Sequence, residues 1–182
     1  MTRLFAIRTL GTILLLALAS PLLISQEASG NQYKLLATKR TSTTEKELNE
    51  AADAGYRLFG TIGGNVGNSE IITVMKRIDD PKQRYTYKLL ATSKTSTMQK
   101  ELNEAGEQGY NYRGETARGE VILILELDRS LQAPPRFEYR LLATSKTSTM
   151  EKELNEAAAQ GFEFLGVIRR GEVISILRRE IK

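Results

Sequence analysis

Between residues 33 and 181 the spacing of apolar and polar positions runs through the same changes of rhythm three times. Tyr33-Lys34-Leu35-Leu36-Ala37-Thr38 alternates with period two. Tyr33, Leu35 and Ala37 point one way and Lys34, Leu36 and Thr38 the other, as in a strand. The hexad returns as Tyr87–Thr92 and Tyr139–Thr144. A helical rhythm follows each time. Thr44/Met98/Met150, Leu48/Leu102/Leu154 and Ala51/Ala105/Ala157 are spaced four and then three, one apolar stripe of a surface helix. Period two then resumes in Tyr56–Thr61, Tyr110–Glu115 and Phe162–Val167, and again in Glu70–Lys76, Glu120–Leu127 and Glu172–Arg179. Arg118-Gly119 and Arg170-Gly171 mark tight turns between these runs, whereas the first copy inserts Gly63-Gly64-Asn65-Val66-Gly67-Asn68.

The helix limits are signposted. Ser42-x-x-Glu45, Ser96-x-x-Gln99 and Ser148-x-x-Glu151 have the form of capping boxes. In such a box the Ser accepts one orphan backbone N–H and the Glu or Gln reaches back to another. Gly55, Gly109 and Gly161 stand where a left-handed C-terminal cap is needed. Asp79-Asp80-Pro81 and Ala133-Pro134-Pro135 read as linkers.

The expected fold class is α+β: three tandem β-α-β-β repeats at 33–78, 87–128 and 139–181, making mixed sheets with helices packed on one face. A right-handed crossover makes the strands flanking each helix parallel, and the last two strands form an antiparallel hairpin. The last strand is apolar on both sides, Val121, Leu123 and Leu125 alternating with Ile122 and Ile124. One helix covers only one face, so the other needs a cover as well. Two arrangements supply it: three sheets sharing a core with helices outside, or an oligomer.

Residues 1–25 have the form of a signal peptide. Arg3 and Arg8 precede an apolar run from Leu10, and Ala17-Leu18-Ala19 fits a cleavage site after Ala19. Cleavage nearer Ser25 is an alternative. The run is short for a bilayer span and is broken by Ser20-Pro21, so no stable membrane span is expected after its removal. The protein is therefore expected to be exported, to the periplasm or the extracellular space.

Charge and composition narrow the chemistry. The net charge is +4, of which Arg3 and Arg8 supply two, too small an excess to indicate nucleic acid. The chain has no Cys and no His. That excludes disulfides, thiol chemistry, imidazole or thiolate zinc sites and any triad using His. No cofactor is expected.

Leu48-Asn49-Glu50, four residues, then Gly55 and an aromatic resembles a short bacterial domain family of unknown function. Its members read as a strand, a helix ending in Leu-Asn-Glu-x4-Gly, usually Trp-Glu-Leu, and a hairpin. The third copy fits best, with Leu154-Asn155-Glu156 and Gly161-Phe162-Glu163-Phe164, Phe standing where that family has Trp. The resemblance implies the strand-helix-strand-strand order and no activity.

Thr41-Ser42-Thr43 and its equivalents, with Lys46, Lys100 and Lys152, suggest a lysine-activated hydroxyl, but the spacing is Ser-x-x-x-Lys and not the Ser-x-x-Lys of lysine-assisted hydrolases. Helix capping is the plainer role. Glu47/Glu50, Glu101/Glu104 and Glu153/Glu156 pair on a helix face but are mixed with Lys, as on a solvated helix. Asn49, Asn103 and Asn155 are unusual inside helices and suggest bonds to a neighbouring strand or turn. The glycine-rich insert lacks the Gly-Lys-Ser/Thr ending of a phosphate loop.

The functional expectation is a non-enzymatic exported repeat protein, a protein-interaction or envelope scaffold module. Its candidate interaction surface is Ser42, Lys46 and Asn49, with Ser96, Lys100, Asn103, Ser148, Lys152 and Asn155. Its partner would be a protein or envelope component, and a homo-oligomer is possible. Two alternatives stand beside it: a small-ligand module with a site between repeats, and a hydrolase using Ser/Thr-Lys or paired carboxylates.

Overall fold

In the computed structural model, residues 31–62, 70–117 and 120–181 are described. The leader, the glycine-rich insert and the Arg118-Gly119 turn lie outside them. Each copy folds as expected, in the order strand, helix, strand, strand. The first unit holds β1 (Tyr33–Thr38), α1 (Thr41–Asp53), β2 (Tyr56–Ile62) and β3 (Ile71–Arg77). The second holds β4 (Tyr85–Thr92), α2 (Thr95–Glu107), β5 (Asn111–Ala117) and β6 (Val121–Asp128). The third holds β7 (Arg136–Thr144), α3 (Thr147–Ala158), β8 (Glu163–Arg170) and β9 (Glu172–Ile181). No helix among the described residues is long and apolar enough to cross a membrane.

The sheets are ordered β1-β3-β2, β4-β6-β5 and β7-β9-β8, and every hydrogen-bonded pair is antiparallel. The strands flanking each helix do run parallel. They never pair, because the third strand inserts between them, so the mixed pairing expected from sequence is absent. The most apolar strand thereby takes the centre, where both of its edges are satisfied. In each unit the ladder between second and third strands slips at the same place, between Leu58/Gly60, Tyr112/Gly114 and Phe164/Gly166. This bulge places Phe59, Arg113 or Leu165 out of register and adds twist to the edge strand.

The helix ends agree with the sequence on one side only. Gly55, Gly109 and Gly161 adopt φ of 85°, 88° and 83°, the left-handed cap that favours glycine. The backbone N–H of Tyr110 returns to Ala105 O at 3.0 Å, and that of Phe162 to Ala157 O at 3.1 Å, closing the last turn. At the other end the capping boxes do not form. The helices begin at Thr41, Thr95 and Thr147, and the cap residues are Arg40, Lys94 and Lys146, without side-chain capping bonds. Ser42, Ser96 and Ser148 stand two positions past the cap residue, too late to cap, and the Glu45 and Gln99 side chains are drawn to the next unit.

The three sheets do not share one core with helices outside. Sheet and helix alternate along the chain, and two cores form at the junctions. In the first, Leu48, Ala51 and Ala52 of α1 lie between two sheets: Leu36, Leu58, Ile71 and Met75 of their own, and Tyr85, Tyr87, Leu89, Ile122 and Ile124 of the next. In the second, Met98, Leu102 and Ala105 of α2 lie between Leu90, Val121, Leu123 and Leu125 on one side and Phe137, Tyr139, Ile174 and Ile176 on the other. Among the described residues no sheet of a further unit packs on helix α3. Its cluster is small, Ala157, Phe162 and Leu177, with Leu142 and Leu154 partly buried against it. The two-faced last strand is thus explained for units two and three: one face meets its own helix, the other the preceding one.

Candidate functional site

The nine candidate residues part company in the structure. Ser42, Ser96 and Ser148 are exposed at the helix starts. Lys46, Lys100 and Lys152 point to solvent and pair with Glu50, Glu104 and Glu156 at 3.6, 3.7 and 3.7 Å. Such exposed i,i+4 pairs contribute about 0.3–0.5 kcal/mol each. Asn49 and Asn103 turn the other way, into the junctions, and only Asn155 is exposed.

At the first junction Asn49 Nδ2 donates to Tyr87 O at 3.0 Å, and Tyr87 N–H donates to Asn49 Oδ1 at 2.8 Å. One turn back, Glu45 Oε2 accepts from Leu89 N–H at 2.8 Å. The second junction repeats this. Tyr139 N–H donates to Asn103 Oδ1 at 2.7 Å, and Leu141 N–H to Gln99 Oε1 at 2.7 Å, while Gln99 Nε2 donates to Tyr139 O at 2.7 Å. The fit is geometric. Two helix residues four apart are separated by about 6 Å of rise. Alternate residues of a strand are separated by about 7 Å. A polar i,i+4 pair therefore satisfies successive outward groups of a strand edge, and β4 and β7 are covered where an open edge would invite pairing.

A second contact ties each junction through a strand tyrosine, Tyr87 of β4 or Tyr139 of β7. Tyr87 Oη accepts from Leu58 N–H at 2.7 Å and donates to Glu126 Oε2 at 2.8 Å. Glu126 is 4 % exposed and receives Arg57 in a fork, Nη2 at 2.7 Å and Nε at 3.1 Å, with Arg113 Nε at 3.5 Å. The bond to Glu126 raises the Arg57 guanidinium above its ordinary value, and Arg57 also lies over the Tyr85 ring, 4.2 Å from its centroid. Burial, reinforced by the Glu126 charge, raises the Tyr87 phenol. At the second junction Tyr139 Oη accepts from Tyr112 N–H at 2.8 Å and donates to Tyr110 O at 2.9 Å. Burial pushes this phenol up to about 12. Arg178 there bonds Asn111 Oδ1 in place of the Arg57–Glu126 pair.

Glu45, Gln99, Tyr87, Tyr139, Arg57 and Glu126 were not singled out from sequence as contact residues. Glu126 carried a signal: it is the first charge after the apolar run Val121–Leu125 and is followed by Leu127, and a charge in such a run needs a partner. Glu45 and Gln99 were masked by their resemblance to capping residues.

An open cleft of about 300 Å³ lies where the hairpin ends of all three units meet, lined by Thr61, Glu115, Thr116, Val121, Val167, Ile168 and Arg169. None of the nine candidate residues lines it. No group of three or more His, Cys, Asp or Glu able to hold a metal ion occurs among the described residues. Comparison with family models, curated proteins and solved structures finds no match to this chain.

Proposed function

We propose that this protein is a non-catalytic exported repeat scaffold that engages a protein or envelope component through the exposed starts of its helices. The observation that carries this reading is how its polar side chains are used. Glu45, Asn49, Gln99 and Asn103 join one unit to the next, and Lys46, Lys100 and Lys152 face solvent beside carboxylates. Ser42 and Lys46 do not line the cleft that spans the units, which weakens the hydrolase reading. What remains outward in every copy is the Thr-Ser-Thr segment followed by Lys.

The test is chemical crosslinking in the source organism's envelope fraction, comparing the native protein with the Lys46→Glu, Lys100→Glu, Lys152→Glu triple variant. A partner crosslinked by the native chain and lost by the variant supports the scaffold reading. No partner, together with saturable binding of a small molecule, overturns it. The cleft at Thr61, Glu115 and Arg169 is the observation that favours this second, small-ligand reading.

A further inference from the structure

We infer that the chain associates head to tail with a second copy of itself, the α3 end of one molecule docking on the β1 side of the next, as α1 docks on β4 and α2 on β7. Both halves of the internal junction are present, and open, at the two ends of the described stack. Tyr33–Thr38 has the same sequence as Tyr87–Thr92, the strand on which α1 docks. Tyr87 and Leu89 are 2 % and 8 % exposed, whereas their counterparts Tyr33 and Leu35 are 51 % and 65 % exposed. Phe59 stands beside them, its ring 5.9 Å from that of Tyr33 and 64 % exposed. No helix precedes β1 among the described residues.

The other half lies on the third unit. Glu151 and Asn155 of α3 match Glu45 and Asn49 residue for residue. Asn155 already makes the intrahelical bond that positions its counterpart: Nδ2 to Glu151 O at 2.8 Å, against Asn49 Nδ2 to Glu45 O at 2.9 Å. Its Oδ1 is thereby set to receive a strand N–H, as Asn49 Oδ1 receives that of Tyr87. The apolar support is exposed as well. Phe164 occupies the place of Leu58, and is 48 % exposed where Leu58 is 3 %.

Charge agrees with this register. By the strand pairings, Arg57, Asn111 and Glu163 are equivalent, and so are Lys76, Glu126 and Arg178. The first junction sets Arg57 against Glu126, and the second sets Asn111 against Arg178. A third junction, between copies, would set Glu163, which within its own unit pairs with Arg178 at 2.9 Å, against Lys76, again of opposite sign. Terminal repeats that stay monomeric carry a polar outer face; these two ends carry the junction residues instead. The contact joins two different surfaces, so it extends into a chain or closes into a ring larger than a symmetric dimer.

The test is sedimentation velocity on the intact protein over a range of concentrations. Species of more than two copies are expected. Leu35→Glu and Phe164→Glu, both at exposed sites, should leave the thermal transition of the unassociated chain unchanged and abolish association. Glu163→Lys and Lys76→Glu should each weaken association at least about tenfold, because each puts like charges at the junction. An equimolar mixture of the two should restore it, since every mixed junction regains opposite signs. A native protein that stays monomeric, a strict dimer, or association that survives Leu35→Glu overturns the inference. Association carried by the leader or by a non-specific apolar contact would be recognised by its indifference to the charge-reversal mixture, and overturns it as well.

Discussion

Replacing Arg57 should damage the protein more than replacing its buried partner Glu126. The pair is lopsided: Glu126 is 4 % exposed, whereas the Arg57 side chain is 37 % exposed. Glu126→Leu removes the charge from the buried side, and Arg57 then turns to water. What is lost is the acceptor for Tyr87 Oη and the pairing energy, about 1–2 kcal/mol. Arg57→Leu strands the carboxylate beneath the sheet. A stranded buried charge costs about 3–5 kcal/mol, reduced to about 2–4 kcal/mol here because Arg113 stays at 3.5 Å and Tyr87 still donates. The double variant should cost little more than Glu126→Leu alone, a coupling of about 2 kcal/mol in a double-mutant cycle. Urea unfolding measures all four proteins, provided the slope against denaturant is unchanged among them. Refutation would be Glu126→Leu proving the more damaging, or a coupling below about 0.5 kcal/mol. Either result would mean that water already reaches the pair and that it does not lock the first junction.

Asn49→Ala and Asn103→Ala each leave a strand N–H and should lower stability by about 1–2 kcal/mol in thermal or urea unfolding. Asn155→Ala, whose bond stays within α3, should change the stability of the unassociated chain by less than about 0.5 kcal/mol. Gly106→Ala should cost about 1–3 kcal/mol, because a Cβ there would lie 2.2 Å from the backbone O of Phe137 and β7 would have to move. Stability should fall steeply as pH rises from about 10 toward 12. The Tyr139 phenol is raised when folded, so its contribution is complete below the unfolded pKa of 10.0 and is lost on passing through about 12. Phenolate absorbance followed alongside circular dichroism checks this; ionisation of all the tyrosines before any loss of structure would contradict it.

What the chain revealed about its fold was local. The alternation of Tyr33–Thr38 and the four-then-three stripe at Thr44, Leu48 and Ala51 depend only on neighbours in sequence, and those elements stand where the pattern placed them. The terminal glycines do so for the same reason: a left-handed φ is a property of one residue. Strand order was less legible, because parallel flanking strands are compatible with either an adjacent pair or an inserted third strand. Insertion prevails since the run Val121–Leu125 is apolar on both faces and is best satisfied at the centre. The candidate site was the least legible. Ser-x-x-Glu describes a capping box and, equally, a Ser beside a Glu that reaches another unit. The cap competes for one backbone donor within its own helix. The junction offers Glu45 the next outward strand N–H after the one Asn49 takes, in a partly buried contact.

That dual demand accounts for where the copies resemble one another. Between Leu89–Ala105 and Leu141–Ala157 the second and third copies differ only at Gln99/Glu151, while their hairpins differ widely. Simple duplication with uneven drift does not say why the polar members of the segment were kept. The structure supplies a reason for two of them in each helix: an Asn and a Glu or Gln must match the outward edge of the following strand. It also supplies a reason for the Tyr of each strand, whose hydroxyl caps the bulged strand of the preceding unit at Leu58 and Tyr112. Strand and helix of one copy are therefore constrained by the helix before and the strand after, whereas a hairpin tip is constrained by neither. On this account the end copies should be freest to change, because among the described residues no unit precedes Tyr33 and none follows Asn155. They have kept the junction residues nonetheless, and Glu163 and Lys76 have taken opposite charges at positions that no internal junction brings together. A constraint that acts on both open ends at once is what a contact between copies would impose.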